Sequence, residues 1–178
     1  MTKPQAILFD LDDTLTDRKA TLERFALQYL EDFKTHLEMD IDVFAQELER
    51  ADGHGYRPRP EMFGALVKCL PWKIAPTKNE FLTYWINTFP RLALPMPGML
   101  ETLKNLKSRD LKLGIITNGE SFQQQGKIDA LRIRGFFETV LVSAEVNIKK
   151  PDARIYQLAL EKLEVQARNL DGWRSYPK

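Results

Sequence analysis

The chain has 178 residues, with 26 Lys+Arg against 25 Asp+Glu and a formal charge of +1. That length suits one domain, or one domain carrying an insertion. The near-zero charge, with no basic run, argues against a nucleic-acid or anionic-membrane surface, so any charge chemistry is local. No apolar stretch approaches the roughly 20 residues of a membrane span, and Met1 to Phe9 lacks the pattern of a secretory signal, so a cytoplasmic location is expected. Cys69 is the single cysteine, which excludes an internal disulfide and a thiolate metal cluster. Its apolar neighbours mark it as a packing residue.

Ala6 to Phe9 reads as a short buried strand, apolar at successive residues as in a parallel sheet covered on both faces. It runs straight into the acidic stretch "ILFDLDDTLTD". Like charges at that density repel unless something positive sits among them. From Asp17 the spacing becomes helical, with Leu22, Phe25, Ala26, Tyr29, Leu30, Phe33 and Leu37 forming one apolar stripe. Asp17 is read as the N-cap of that helix, without a capping box because Ala20 stands three residues on. Three weaker helical patterns follow, around Val43 to Leu48, Glu61 to Leu70 and Lys78 to Phe89, separated by "DGHGYRPRP" and "LPWKIAPT". Trp72, Tyr84, Trp85 and Phe89 are expected to pack this helical segment, and His36 and His54 to be exposed.

After "LALPMPG" the pattern alternates: helix from Met99 to Ser108, strand "KLGIITN", helix from Ser121 to Arg132, strand "TVLVSAEV", helix from Ala153 to Leu163. Such alternation builds a parallel, doubly wound α/β sheet. In these sheets ligands bind at the carboxyl ends of the strands. There the sequence places Asp10, Asp12 and Thr14, then Thr117-Asn118-Gly119, then Lys149-Lys150-Pro151-Asp152. Carboxylates, a hydroxyl and an ammonium around one crevice suit a phosphate with a hard cation.

These residues resemble the haloacid dehalogenase-like hydrolase superfamily, in its phosphatase branch. "FDLDDTL" is similar to the family's first motif, "IITNG" to its second, and "KKPD" followed by "IYQLALEKL" to its third. The resemblance implies a Rossmann-like parallel sheet with helices on both faces, residues 1–15 and 93–178, interrupted by an all-helical cap over residues 16–92. It implies Asp10 as nucleophile, Asp12 as general acid and base, and Thr117, Asn118 and Lys150 as binders of a small phosphorylated substrate, a metabolite or a nucleotide. Mg²⁺ would be held by the Asp10 carboxylate and the Asp12 backbone carbonyl. A receiver domain is disfavoured, because it needs an aspartate ending a later strand. Halide displacement is disfavoured by Asp12, an acid that only an oxygen leaving group needs.

The resemblance also implies a fourth strand ending in Gly-Asp, whose acids complete the Mg²⁺ site. The tail "LEVQARNLDGWRSYPK" reads without one, since Asp171-Gly172 lacks a preceding apolar run. The sheet is therefore expected to be incomplete at the C-terminus, with the strand bearing Asp10 at an edge open to self-association. The alternative to an active phosphatase is a truncated or inactive member that retains weak phosphate or Mg²⁺ binding.

Overall fold

The computed structural model describes residues 4–165. In chain order the elements are β1 (Ala6–Phe9), β2 (Thr16–Asp17), α1 (Arg18–Asp32), α2 (Ile41–Asp52), α3 (Arg59–Cys69), α4 (Lys78–Thr88), β3 (Leu94–Pro95), α5 (Met99–Lys107), β4 (Lys112–Thr117), α6 (Ser121–Ala130), β5 (Thr139–Val142), α7 (Ser143–Val146) and α8 (Ala153–Lys162). The chain divides into two compact units, one running to Thr16 and resuming at Pro95, the other Asp17–Leu94. No helix among the described residues is long and apolar enough to cross a membrane.

The first unit is an α/β layer structure around a parallel three-stranded sheet of order β1-β4-β5. Because successive strand residues face opposite sides, β4 divides its apolar residues between two cores. Leu113 and Ile115 pack with Leu103 of α5 and Ile128 of α6, whereas Ile116 packs with Leu141 of β5 and with Ile155 and Ala159 of α8. Covered on both faces and paired on both edges, β4 is buried from Leu113 to Thr117. Among the described residues β1 lies at an end of the sheet, paired to β4 from Ala6↔Lys112 to Phe9↔Ile115. Residues 166–178, with Asp171 and Gly172, lie outside the described residues.

The third expected strand is shorter than its apolar pattern. β5 stops at Val142, whose register partner is Thr117, the last residue of β4. With no partner left to ladder against, the chain coils into α7 and reverses at Asn147 in the left-handed region. The stripe on the first long helix likewise outruns the helix, which ends at Asp32, while Leu37 reaches the core from the following turn. Cys69 corrects its sequence reading: it is exposed at the last position of α3.

The second unit is all helical, with Phe25, Tyr29, Phe44, Leu48, Met62, Leu66, Phe81 and Trp85 in one aromatic-rich core. Phe89 is buried in the same cluster, with Trp72 and Tyr84 packed against it. His54 is exposed and His36 half-buried. The helix starts are chemically specified. Asp17 accepts the Ala20 amide at 2.9 Å, Asp40 accepts those of Asp42 and Val43, and Thr77 with Glu80 forms a reciprocal capping box.

One ion cluster is largely buried inside this unit. Asp52 is 0 % exposed and accepts Arg18 Nε at 2.8 Å and Nη2 at 2.6 Å, and Arg59 Nη1 at 2.5 Å. Gly55 lets the adjoining loop lie close against it, since a Cβ there would stand 3.0 Å from Arg18 Cζ and its φ is +83°. Burial pushes the Asp52 carboxyl upward, but the two guanidinium groups outweigh this and hold it below the ordinary carboxylate range. Its contribution to stability is therefore complete above the ordinary carboxylate pKa and lost as pH falls through the lowered value. Asp52→Ala would remove the carboxylate that both guanidinium groups share and should cost about 3–5 kcal/mol in urea unfolding near neutral pH. A loss under about 1 kcal/mol would show that the cluster is mere surface pairing.

Candidate active site

Asp10 directly follows β1, and the chain then turns sharply. Leu11 is fully buried, and its carbonyl accepts the amides of Leu15 at 2.9 Å and Thr16 at 3.0 Å. Asp13 makes the reversal in the left-handed region, at φ 57°, where aspartate is among the few residues tolerated without strain. The turn keeps Asp10 and Asp12 at the carboxyl end of the sheet, and their surroundings differ.

Asp10 Oδ1 accepts the Leu11 amide at 2.7 Å and pairs with Lys150 Nζ at 2.6 Å. Its Oδ2 takes no hydrogen bond among the described residues, and the side chain is 45 % exposed. Asp12 is held on both oxygens. Lys127 Nζ donates to Oδ1 at 2.7 Å and Oδ2 at 2.9 Å, Gln124 Nε2 to Oδ2 at 3.0 Å, and Thr16 Oγ1 to Oδ1 at 3.3 Å. The repulsion implied by the acidic stretch is thus answered at each of these two positions by a lysine.

Thr117 ends β4, buried, and Asn118 follows it, exposed. The Asn118 side chain clasps the main chain of Lys150: Nδ2 donates to the Lys150 carbonyl at 3.0 Å, and Oδ1 accepts the Lys150 amide at 2.8 Å. So three segments far apart in sequence meet at the carboxyl ends of β1 and β4, with the Lys150–Pro151 peptide cis. Beside them opens a pocket of about 530 Å³ whose lining mixes polar residues, Ser143, Asn147 and Arg154, with apolar ones, Ala144, Ile148 and Pro151. Asp152 serves the fold locally, accepting the Arg154 amide at the start of α8 and pairing with its guanidinium at 2.6 Å, which holds the carboxyl below the usual range.

Sequence reasoning missed Gln124 and Lys127. The signal was a broken stripe: Gln124, Lys127, Ile128 and Leu131 fall at the spacing of one buried helix face, and the first two are polar. They are 2 % and 4 % exposed, so α6 turns an amide and an ammonium toward the protein interior.

Among the described residues no three His, Cys, Asp or Glu side chains are grouped to hold a metal. The Asp10 carboxylate, exposed and negatively charged, suits a hard cation, whereas both oxygens of the Asp12 side chain are engaged. Residues 7–170 match the family described as haloacid dehalogenase-like hydrolase. The chain belongs to that family.

Among haloacid dehalogenase-like relatives, a glyceraldehyde 3-phosphate phosphatase of Methanocaldococcus jannaschii is 30% identical over 169 residues, covering 92% of this chain and 72% of the relative. A pyrimidine 5′-nucleotidase, YjjG, of Escherichia coli is 31% identical over 180 residues, covering 94% of this chain and 73% of the relative. The fold is shared with the magnesium-bound HAD-hydrolase YfnB of Bacillus subtilis, at a TM-score of 0.66 and 23% identity over 90% of this chain and 73% of that one. In this family setting the α/β fold with its parallel sheet is the expected architecture.

Proposed function

We propose that the chain is a Mg²⁺-dependent phosphomonoesterase acting on a small phosphorylated metabolite or nucleotide, with Asp10 as nucleophile. The observation that carries this reading is the contrast between two carboxylates two residues apart. Asp10 keeps an exposed, undonated oxygen beside a lysine, while Asp12 is locked on both oxygens. The first suits attack, and the second suits a proton carrier of fixed aim. Asp10 Oδ2 attacks phosphorus, the bond to the ester oxygen breaks, and Asp12 gives that oxygen its proton, leaving an aspartyl phosphate and an alcohol. The Asp12 carboxylate then takes a proton from a water whose oxygen attacks phosphorus, releasing inorganic phosphate and restoring Asp10. Lys150 Nζ and the Thr117 hydroxyl steady the phosphoryl oxygens, and Asn118 acts by holding Lys150 in place.

The Asp10 carboxylate and the Asp12 main-chain carbonyl are the oxygens that would hold Mg²⁺. Bound there, the ion supplies positive charge to the phosphoryl oxygens. Among the described residues these are two protein oxygens, and water would complete the shell around them. Support also comes from relatives named as phosphatases and a nucleotidase, and from a structural relative described as bound to magnesium. The helical unit, inserted between Thr16 and Pro95, is assigned the selection of substrate. The test is phosphate release from p-nitrophenyl phosphate and from a panel of sugar and nucleotide monophosphates. Turnover should require added Mg²⁺ and should fall about tenfold or more with EDTA. Turnover indifferent to EDTA would remove the metal from the reading. Phosphate binding without hydrolysis of any ester would replace the enzyme by an inactive member of the family.

A further inference from the structure

The reaction above leaves two buried polar side chains of α6 without a part. An ammonium is taken out of water at a large cost unless it is well paired, and Lys127 is paired three ways, to both Asp12 oxygens and to Gln124 Oε1 at 2.7 Å. That last bond fixes the Gln124 amide. Lys127 can only donate, so the glutamine oxygen faces it and the NH₂ group is turned the other way. There it meets three acceptors: Thr117 Oγ1 at 2.5 Å, Asp12 Oδ2 at 3.0 Å and the Asn118 carbonyl at 3.3 Å. Gly119 is drawn in against the same side chain, where a Cβ would stand 3.0 Å from Gln124 Cγ and Cδ, at φ +149°.

Two consequences follow from proton counting. Thr117 Oγ1 accepts from Gln124, so its own proton is left to be donated elsewhere, toward an anion at the strand end. An NH₂ group has two hydrogens for three acceptors, so Gln124 can release Asp12 Oδ2 and still be satisfied by Thr117 and Asn118. Oδ2 can therefore take up a proton without stranding the Gln124 amide.

We infer that Gln124 and Lys127 are positioning residues that aim the Asp12 carboxyl and the Thr117 hydroxyl for phosphoryl transfer. The inference rests on the reading of Asp12 as the acid and base. Neither residue touches the substrate; each acts through a side chain that does.

The experiment compares kcat/KM for an alkyl phosphate and for p-nitrophenyl phosphate in Asp12→Asn, Lys127→Met and Gln124→Met, together with competitive inhibition by inorganic phosphate. The ratio kcat/KM reports formation of the phosphoenzyme, where only a poor leaving group needs the proton. Lys127→Met should lower the alkyl value by about tenfold or more and the p-nitrophenyl value by about threefold or less, a milder copy of Asp12→Asn. Gln124→Met should shift the two esters the same way and also weaken phosphate inhibition by about threefold or more, because Thr117 loses its orientation.

Equal losses on both esters, or none, would make the pair a structural brace and overturn the inference while a leaving-group-dependent Asp12→Asn left the acid assignment standing. An Asp12→Asn variant with no leaving-group dependence would instead sink the acid assignment and the inference with it. Should circular dichroism show that Lys127→Met does not fold, Gln124→Met decides, since it removes no charge. Unchanged ester selectivity and unchanged phosphate inhibition in that variant would overturn the proposal.

Discussion

Asp10→Asn should abolish turnover, with a loss of at least about 10³-fold in kcat on every ester, because an amide cannot form the acyl phosphate. The substitution is nearly isosteric. An asparagine oxygen can still accept the Leu11 amide that now lies 2.7 Å from Oδ1, so the turn after β1 should persist and thermal unfolding should change little. What goes is the charge opposite Lys150 and the exposed oxygen that attacks. Intact-mass measurement after brief mixing with substrate should show no phosphorylated protein. A variant that turns over at the parent rate, or still gains a phosphoryl group, would place the nucleophile elsewhere.

Asp12→Asn should be nearly as damaging, but selectively. With an alkyl ester kcat/KM should fall about 10²-fold or more, the usual worth of a well-placed general acid. With p-nitrophenyl phosphate, whose leaving group departs as a stable anion, the loss should be several times smaller. The substitution also leaves the buried Lys127 ammonium facing a neutral amide where it had a carboxylate on both oxygens. Some stability should be lost alongside activity, so melting temperature is measured with the rates. Equal losses on the two esters would argue that Asp12 is structural.

The α/β class and most element positions were legible because they rest on short-range periodicity. A four-residue apolar run ending in aspartate, a six-residue strand ending in Thr117 and a stripe through Phe25 and Tyr29 each announce themselves locally. Where the pattern misled, a partner was the cause. "TVLVSAEV" has strand character throughout, yet β5 stops at Val142 because β4 offers nothing beyond Thr117. Among the described residues β1 ends the sheet; the tail bearing Asp171, on which the expected open edge depends, lies beyond them.

The site divided in the same manner. Motif spacing marked Asp10, Asp12, Thr117, Asn118 and Lys150. It gave no account of why Asn118 spends its side chain on the Lys150 backbone, nor of α6 entering the site. Gln124 and Lys127 were visible only as polar residues in an apolar stripe, a pattern that solvated helices also show. Their meaning depends on Asp12, more than 100 residues away in the chain, at the other end of hydrogen bonds that local reading cannot supply.

The clasp between Asn118 and Lys150 has a consequence for how such a chain can change over time. Two hydrogen bonds tie the lysine's peptide directly to the end of the central strand. The intervening segment, α7 and the residues to Lys149, is thereby relieved of aiming the ammonium. Ser143 and Glu145 in it are tied to Gly119, Ser121 and Gln125, but exchange at Ala144, Asn147 and Ile148 would redraw the rim of the adjoining pocket. Sequence drift at those rim positions would leave the main-chain clasp on Lys150, and with it the chemistry, in place.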